Sequence, residues 1–310
     1  VLFRSAMKKK SLFRMVKPYL FLLPIYLLMV TFKYIPFGMA IIKSFFNWNG
    51  ANVNLFVGLD NYIAAFRDIT FTKSLVNSLW IAGADILIVL TFPLLAAELL
   101  YAVKSTKKQY VVRTAFTFPM VVPSVVIILL WKWILAGDTG VLNNILTSIG
   151  IGNLAKPWLG DSRTALGSII AIGFPWLGSA SLGGLQFLLY FGALQNISKD
   201  MFEAAEIDGA GRLRKMWHVT LPQIRPTIII LFIFAVGGLM ASGHEKIILL
   251  YNPLTYDTAD VIASYVYRRG LQEASYSFAT AVGLISSVVN FLLLWITNKI
   301  SKKYSEISIF

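Results

Sequence analysis

The sequence predicts an all-α protein that crosses a membrane six times. Of its 310 residues, 57% are hydrophobic and only 14% are charged, which is too apolar for a soluble domain of this length. In addition, six segments are long and apolar enough to cross a bilayer as helices, which requires ~20 residues each. These segments are Pro18–Ile42, Ser74–Tyr101, Tyr110–Leu135, Ala165–Leu194, Pro226–Leu250 and Ser277–Asn298.

The distribution of Lys and Arg predicts the orientation of these spans. Most of the basic residues precede the first span, follow the last, or lie between the second and third and between the fourth and fifth spans. Because basic connections are retained on the cytoplasmic side, we expect both termini to be cytoplasmic. The net charge of +13 is thereby explained as a topology signal, and we expect no nucleic-acid partner.

The chain is expected to form one transmembrane domain over residues 18–300, between a cytoplasmic segment at 1–17 and a cytoplasmic tail at 301–310. Residues 1–6 precede Met7 and are interpreted as a cloning or gene-prediction remnant. The chain has no cysteine, and His218 and His244 do not have the spacing of metal ligands. We therefore expect no metal site and no catalytic residue.

A charged stretch between the fourth and fifth spans, "EAAEIDGAGRLRKMWHVTLP" (Glu203–Pro222), predicts two short helices. Ser198 is placed to cap the first helix, and Gly209 stands where a helix end favours a residue with positive φ. The second helix carries Leu213 and Trp217 on one face.

Two prolines follow, and we expect Pro222 and Pro226 to end the second helix before the fifth span begins. Physical reasoning leaves two roles open for the two helices. They could lie on the lipid headgroups, which their basic residues would suit. Alternatively, they could dock into a groove of a partner protein.

The spacing of particular residues resembles the coupling loop of ABC importer permeases. The matching residues are Glu203, Ala204, Ala205, Gly209, Val219, Leu221 and Pro222. The family usually has isoleucine at the position of Val219 and often proline near that of Ser198, so this chain departs from the pattern at both. We refer to residues 198–222 as the coupling loop.

The resemblance extends from about Pro18 to Lys303 and is closest to the sugar-importing subgroup, in the branch that handles glycerol-phosphate, oligosaccharides or polysaccharide fragments. It is carried by "FVGLDNYIAAF", "RTAFTFPMVVPSVVIILLWKWIL", "PWLGDSRTAL" and the coupling loop. The stretch "YNPLTYDTADVIASYVYRRGLQEASYSFATAVGL" is most similar to the branch that handles polysaccharide fragments. The resemblance thus implies a carbohydrate cargo, an oligosaccharide or a polysaccharide fragment.

The resemblance also implies a fold and a set of partners. The fold would be that of type I ABC importer permeases, in a bacterial cytoplasmic membrane. The partners would be a second related six-span permease, two copies of a P-loop ATPase, an external solute-binding protein, the carbohydrate and membrane lipid. The chain contains no G-x-x-x-x-G-K-[ST] motif. We therefore expect it to be no enzyme and to hold no cofactor, with ATP and Mg bound by the ATPase.

The residues expected to couple the chain to the ATPase all lie in the coupling loop. They are Glu203, Ala204, Ala205, Asp208, Gly209, Arg212, Trp217, Leu221 and Pro222. By resemblance, Gly209 makes the turn, Ala204 and Ala205 allow close approach, and Glu203 and Arg212 supply polar anchoring.

Polar and aromatic side chains within the spans are candidates for the cargo pathway. Ionisable or amide groups are costly in a bilayer, and sugars require hydrogen-bonding groups together with flat apolar faces. The candidates are Asn77, Trp80, Asp85, Trp176, Gln186, Tyr190 and Asn290. For each of them taken singly, packing between helices or contact with another subunit is the favoured role.

Two alternatives to sugar import remain at this point. The first is an ABC permease for another kind of solute. The second is a secondary transporter driven by an ion gradient, which would require paired carboxylates or proton relays within the spans. Asp85 is nearly alone among acidic residues within the predicted spans, and this argues against the second alternative.

Overall fold

The computed structural model describes residues 17–52, 54–137, 139–172, 184–241, 244–250 and 252–305. Within these ranges the regular secondary structure is helical apart from one antiparallel hairpin, β1 (Phe46–Trp48) and β2 (Asn54–Phe56). The first helices are α1 (Lys17–Lys43), α2 (Asp60–Arg67), α3 (Ile69–Tyr101), α4 (Thr106–Thr117), α5 (Ser124–Ile134), α6 (Val141–Ser148) and α7 (Ser162–Ile172). The remaining ones are α8 (Gly184–Gln195), α9 (Lys199–Ile207), α10 (Arg212–Gly237), α11 (His244–Leu250), α12 (Tyr256–Ala259), α13 (Ile262–Tyr267) and α14 (Tyr276–Ser305).

The chain divides into two compact units. One comprises Val1–Ala65 and Arg269–Leu284, and within it the backbone N–H of Trp48 donates to the Ser277 hydroxyl. The other comprises Phe66–Arg268 and Ile285–Phe310 and contains the coupling loop.

Four helices of the described chain are long and apolar enough to cross a membrane: α1, α3, α10 and α14. They correspond to the first, second, fifth and sixth predicted spans. Helix α3 begins five residues before the predicted start at Ser74, because the Asp68 side chain caps it by accepting from the Thr70 N–H.

The third predicted span is a bent pair of helices rather than one straight helix. Residues Thr106–Val121 and Ser124–Ile134 meet at an angle of 91°. Pro123 causes the break, because the residue before a proline avoids helical geometry, and Val122 is extended with ψ of 128°. The fourth predicted span contains α7 and α8, and residues 173–183 between them lie outside the described ranges.

The expectation that Pro222 and Pro226 end the second coupling-loop helix is wrong. One helix continues from Arg212 to Gly237. A π-helical turn at Met216–Thr220 directly precedes Pro222, and this wider turn accommodates the missing N–H and the ring without ending the helix. The coupling loop and the fifth span therefore share one helix.

The fifth predicted span does not continue to Leu250 as one helix. It ends at Gly237, a 3₁₀ turn follows at Leu239–Ala241, and α11 begins at His244. Glycines in the run "GGLMASG" weaken the helix here, and Gly238 forms its C-cap.

Candidate functional site: the coupling loop and polar residues in the spans

Helix α9, the first helix of the coupling loop, begins and ends at the residues that the sequence indicates. The Ser198 hydroxyl accepts a hydrogen bond from the Asp200 N–H, and Asp200 places a negative charge in the first turn. At the other end, the Ala210 N–H donates to the Ala205 carbonyl and the Gly209 N–H donates to the Glu206 carbonyl. This pair of bonds is a Schellman motif, which turns the chain out of a helix.

Gly209 has the positive φ that this motif requires. Its φ is +70°, and a Cβ added there would meet no atom within 4 Å. The space around Gly209 is therefore open, and the backbone conformation alone favours glycine. Gly211, two residues later, has a φ of −67° and N-caps α10.

An ion pair joins the two helices of the coupling loop. The Lys215 ammonium lies 2.5 Å from a carboxylate oxygen of Glu206. The hydrogen bond and charge of Lys215 lower the pKa of the Glu206 carboxyl. Because Glu206 is exposed, the pair contributes little to the free energy of folding.

The inner face of the coupling loop packs on the spans. Phe202, Ala205 and Leu221 contact a core cluster that includes Leu100 of α3 and Phe187 of α8. In addition, the Thr220 hydroxyl donates to a carboxylate oxygen of Glu98 on α3, at 3.3 Å. The loop is thereby held as part of the helical body.

Three large apolar side chains of the coupling loop are exposed beside its exposed charged residues. The residues Ile207, Leu213 and Trp217 are 87%, 72% and 63% exposed. Ile207 was not among the predicted coupling residues, although its position beside the helix end that Gly209 terminates could have indicated it. Side chains of this size are seldom left open in a cluster unless another molecule covers them.

The other predicted coupling residues lie mainly on the accessible side. Glu203, Ala204, Asp208, Arg212 and Pro222 are exposed, whereas Ala205 and Leu221 are half-buried. Most of the predicted coupling residues thus lie on the surface, and the half-buried ones pack against the spans.

The predicted pathway residues of α3 have three different environments. Asn77 is buried and donates to the backbone carbonyl of Asp260 at 3.1 Å. Trp80 is exposed on the surface of the chain. Asp85 is buried and forms an ion pair with Lys246 of α11 at 3.2 Å, so its partner is a cation that the sequence analysis did not identify.

The remaining pathway candidates do not form one cluster with these residues. Gln186 and Tyr190 lie one turn apart on α8, and the Gln186 Oε1 and the Tyr190 Oη are buried with no hydrogen-bond partner in the described part of the chain. Asn290 of α14 bonds the backbone at the end of α10. Trp176 lies outside the described residues.

Comparisons with known proteins agree on one kind of protein. The family model "Binding-protein-dependent transport system inner membrane component" matches residues 90–306. Protein LplB of Bacillus subtilis is 33% identical over 94% of this chain and 90% of its own length. The polygalacturonan/rhamnogalacturonan transport system permease protein YteP of the same organism is 29% identical over 100% of this chain and 96% of its own.

A solved structure has the same fold over almost the whole chain. It is that of a bacterial alginate ABC transporter in complex with an alginate pentasaccharide-bound periplasmic protein. The TM-score is 0.84 at 30% sequence identity, and the match covers 96% of this chain and 99% of the other.

Proposed function

Since the chain belongs to the family of binding-protein-dependent transport system inner membrane components, we propose that its coupling loop docks on a separate ATP-hydrolysing subunit. The chain is an inner-membrane permease subunit of an ABC importer for a sugar or oligosaccharide. Relatives that carry polygalacturonan, rhamnogalacturonan or alginate in their names support a polysaccharide fragment as the cargo.

The exposure of three apolar side chains of the coupling loop is the observation that carries the docking proposal. Ile207, Leu213 and Trp217 project from a scaffold that is already fixed by a Schellman turn, an ion pair and core packing. A preformed surface with an aromatic anchor loses little conformational entropy on binding. A loop that merely rested on lipid headgroups would not need so defined a turn.

In the proposed transporter the chain would cross the membrane six times. The bent α4–α5 pair would be the third span and the α7–α8 segment the fourth. Both termini and the coupling loop would lie in the cytoplasm. A second related permease, two ATPase copies holding ATP and Mg, and an external binding protein would complete the assembly. Closure of the ATPase pair would tilt the spans and change which side the cargo cavity faces.

The proposed cargo pathway includes the polar groups of the spans, with Gln186 and Tyr190 foremost. A buried polar atom without a partner is costly, and both side chains have such an atom in the described part of the chain. A hydroxyl-rich sugar would satisfy both groups once the change of conformation during transport exposes them, because Tyr190 is fully buried in the present structure.

Purification from the native membrane tests the docking proposal. We expect a P-loop ATPase at twice the amount of this chain and a second permease to co-purify. Trp217→Glu and Leu213→Glu should abolish ATPase recovery while the chain stays in the membrane. Leu254→Glu is the matched control, because Leu254 is equally exposed at 78% but lies far from the coupling loop in sequence. ATPase recovery that is unchanged in both coupling-loop variants would refute the proposal.

A further inference from the structure

The helix is interrupted between α10 and α11. The backbone hydrogen bonds of α10 end at Gly237, and α11 begins only at His244. A tilt that enters α10 from the coupling loop is therefore not passed to α11 along a continuous helix. Side-chain contacts must hold α11 in place.

The first such contact comes from the middle of α14. The Asn290 side-chain amide donates to the Gly237 carbonyl at 2.7 Å, and its oxygen accepts from the Met240 N–H at 3.4 Å. Backbone groups at membrane depth need such partners because there is no water to replace them. Asn290 thus fastens the end of α10 and the 3₁₀ turn that follows it to α14.

The second contact joins α11 to the midpoint of α3. The Lys246 ammonium lies 3.2 Å and 3.4 Å from the two carboxylate oxygens of Asp85. The two side chains are only 8% and 5% exposed. Separating such ions at this depth is strongly unfavourable, so the pair holds α11 against α3.

Helix α11 is also held from α5. The Lys132 ammonium donates to the Leu249 carbonyl at 2.7 Å, and the Ser124 hydroxyl donates to a carboxylate oxygen of Glu245 at 2.7 Å. Hence α11 is connected by polar contacts to α3 and α5, and the preceding turn is connected to α14.

We propose that Asp85, Lys246 and Asn290 are positioning residues: when the coupling loop tilts α10, Asp85 and Lys246 keep α11 moving with α3, and Asn290 keeps the end of α10 and the turn before α11 moving with α14. This inference rests on the proposed coupling function. The ion pair is expected to stay closed throughout the transport cycle, which we call a tie, because opening it would leave two unpaired charges in the membrane. In the contrasting role, which we call a latch, the pair opens during transport.

Charge exchange in the assembled transporter, reconstituted in liposomes, tests the tie. We expect Asp85→Asn and Lys246→Gln each to lower sugar uptake by about tenfold or more while ATP hydrolysis changes less than about twofold. The exchanged pair, Asp85→Lys with Lys246→Asp, should restore uptake to within about threefold. Lys73→Gln is the matched control, since its pair with Asp257 also starts from α3 but is 45% and 70% exposed, and uptake should change less than about twofold.

A thiol cross-link distinguishes the tie from a latch. The chain has no cysteine, so Asp85→Cys with Lys246→Cys introduces the only two thiols of this subunit. We expect uptake to be low before cross-linking with a short bifunctional thiol reagent and to rise at least about threefold afterwards. A cross-link that leaves ATP hydrolysis intact but blocks the remaining uptake would overturn the tie in favour of a latch.

Asn290 is tested by two substitutions of similar size. Asn290→Leu removes both hydrogen bonds, whereas Asn290→Asp retains the acceptor for Met240 but not the donor to Gly237. We expect uptake per ATP hydrolysed to fall in both, and further in the leucine variant. Equal, unimpaired coupling in both would overturn the role of Asn290.

Two further outcomes would also overturn the inference. A neutral pair, Asp85→Leu with Lys246→Met, that transports at the original rate would show that no charge tie is needed. Failure of every pair variant, the exchanged pair included, to assemble would assign the two residues to folding alone. Failure of the coupling function itself is recognised separately, because the unmodified chain would then recover no ATPase.

Discussion

Substituting Gly209 provides the sharpest test of the coupling loop, because the structure separates backbone strain from steric fit. A Cβ at this position would meet nothing within 4 Å, so a larger residue has room. Its φ of +70° is nevertheless the left-handed region, which L-residues with a side chain avoid.

The size of the effect follows from that conformation. Alanine in the left-handed region costs about 1 kcal/mol, and a β-branched residue such as valine costs about 2 kcal/mol. At about 1.4 kcal/mol per factor of ten, the equilibrium constant for forming the docking-competent turn falls about fivefold in Gly209→Ala and about thirtyfold in Gly209→Val. Gly209→Asn should lie close to the original, because asparagine tolerates this region.

The assay is sugar uptake together with ATP hydrolysis in the assembled transporter. We expect uptake to fall in the order asparagine, alanine, valine, while the amount of chain in the membrane stays constant. Gly211→Ala is the matched control, since Gly211 also has open space around it but a φ of −67°. The reasoning is refuted if Gly209→Val transports normally, or if Gly211→Ala lowers uptake as much as Gly209→Ala.

Three further predictions concern the cap, the ion pair and a buried hydroxyl. Ser198→Ala removes the helix cap and should destabilise α9 by about 1 kcal/mol, measurable as faster amide hydrogen exchange in residues 199–207. The contribution of the Glu206–Lys215 pair to stability should be complete above the ordinary carboxyl pKa of 4.5 and should disappear as the pH falls through the lowered pKa of Glu206. An NMR titration of Glu206 in the native protein and in Lys215→Gln checks this direction. A Glu206 pKa that is the same in both proteins would contradict it. Tyr190→Phe should leave assembly and thermal stability unchanged, because the hydroxyl has no partner in the described chain, but should raise the KM for uptake if Tyr190 contacts sugar.

Local features of the coupling loop could be predicted from the sequence, whereas features that depend on distant residues could not. Ser198 and Gly209 act through hydrogen bonds to residues within five positions, so the spacing alone indicates the cap and the turn. Lys246 was missed as the partner of Asp85, because 161 residues separate them and the sequence placed Lys246 at the end of a span.

Proline was a misleading signal for a similar reason. Pro222 predicts a helix end only if the turn before it is an ordinary α-turn, and the π-turn at Met216–Thr220 removes that condition. Pro123 does end a helix, because an extended Val122 precedes it and a sharp bend follows. The residue type is the same in both places, and the backbone geometry of the preceding residues differs.

The continuous helix through Pro222 explains why the break after it has to be reinforced. Helix α10 has 26 residues, or ~39 Å at 1.5 Å per residue, whereas a bilayer core is ~30 Å thick. The helix is therefore longer than the hydrocarbon core is thick. In the proposed coupling, a displacement of Leu213 and Trp217 by the ATPase would be conveyed along this helix to Gly237, and a flexible connection there would absorb it. The hydrogen bonds of Asn290 connect this end of α10 to α14, and the Asp85–Lys246 pair joins the next helix, α11, to α3.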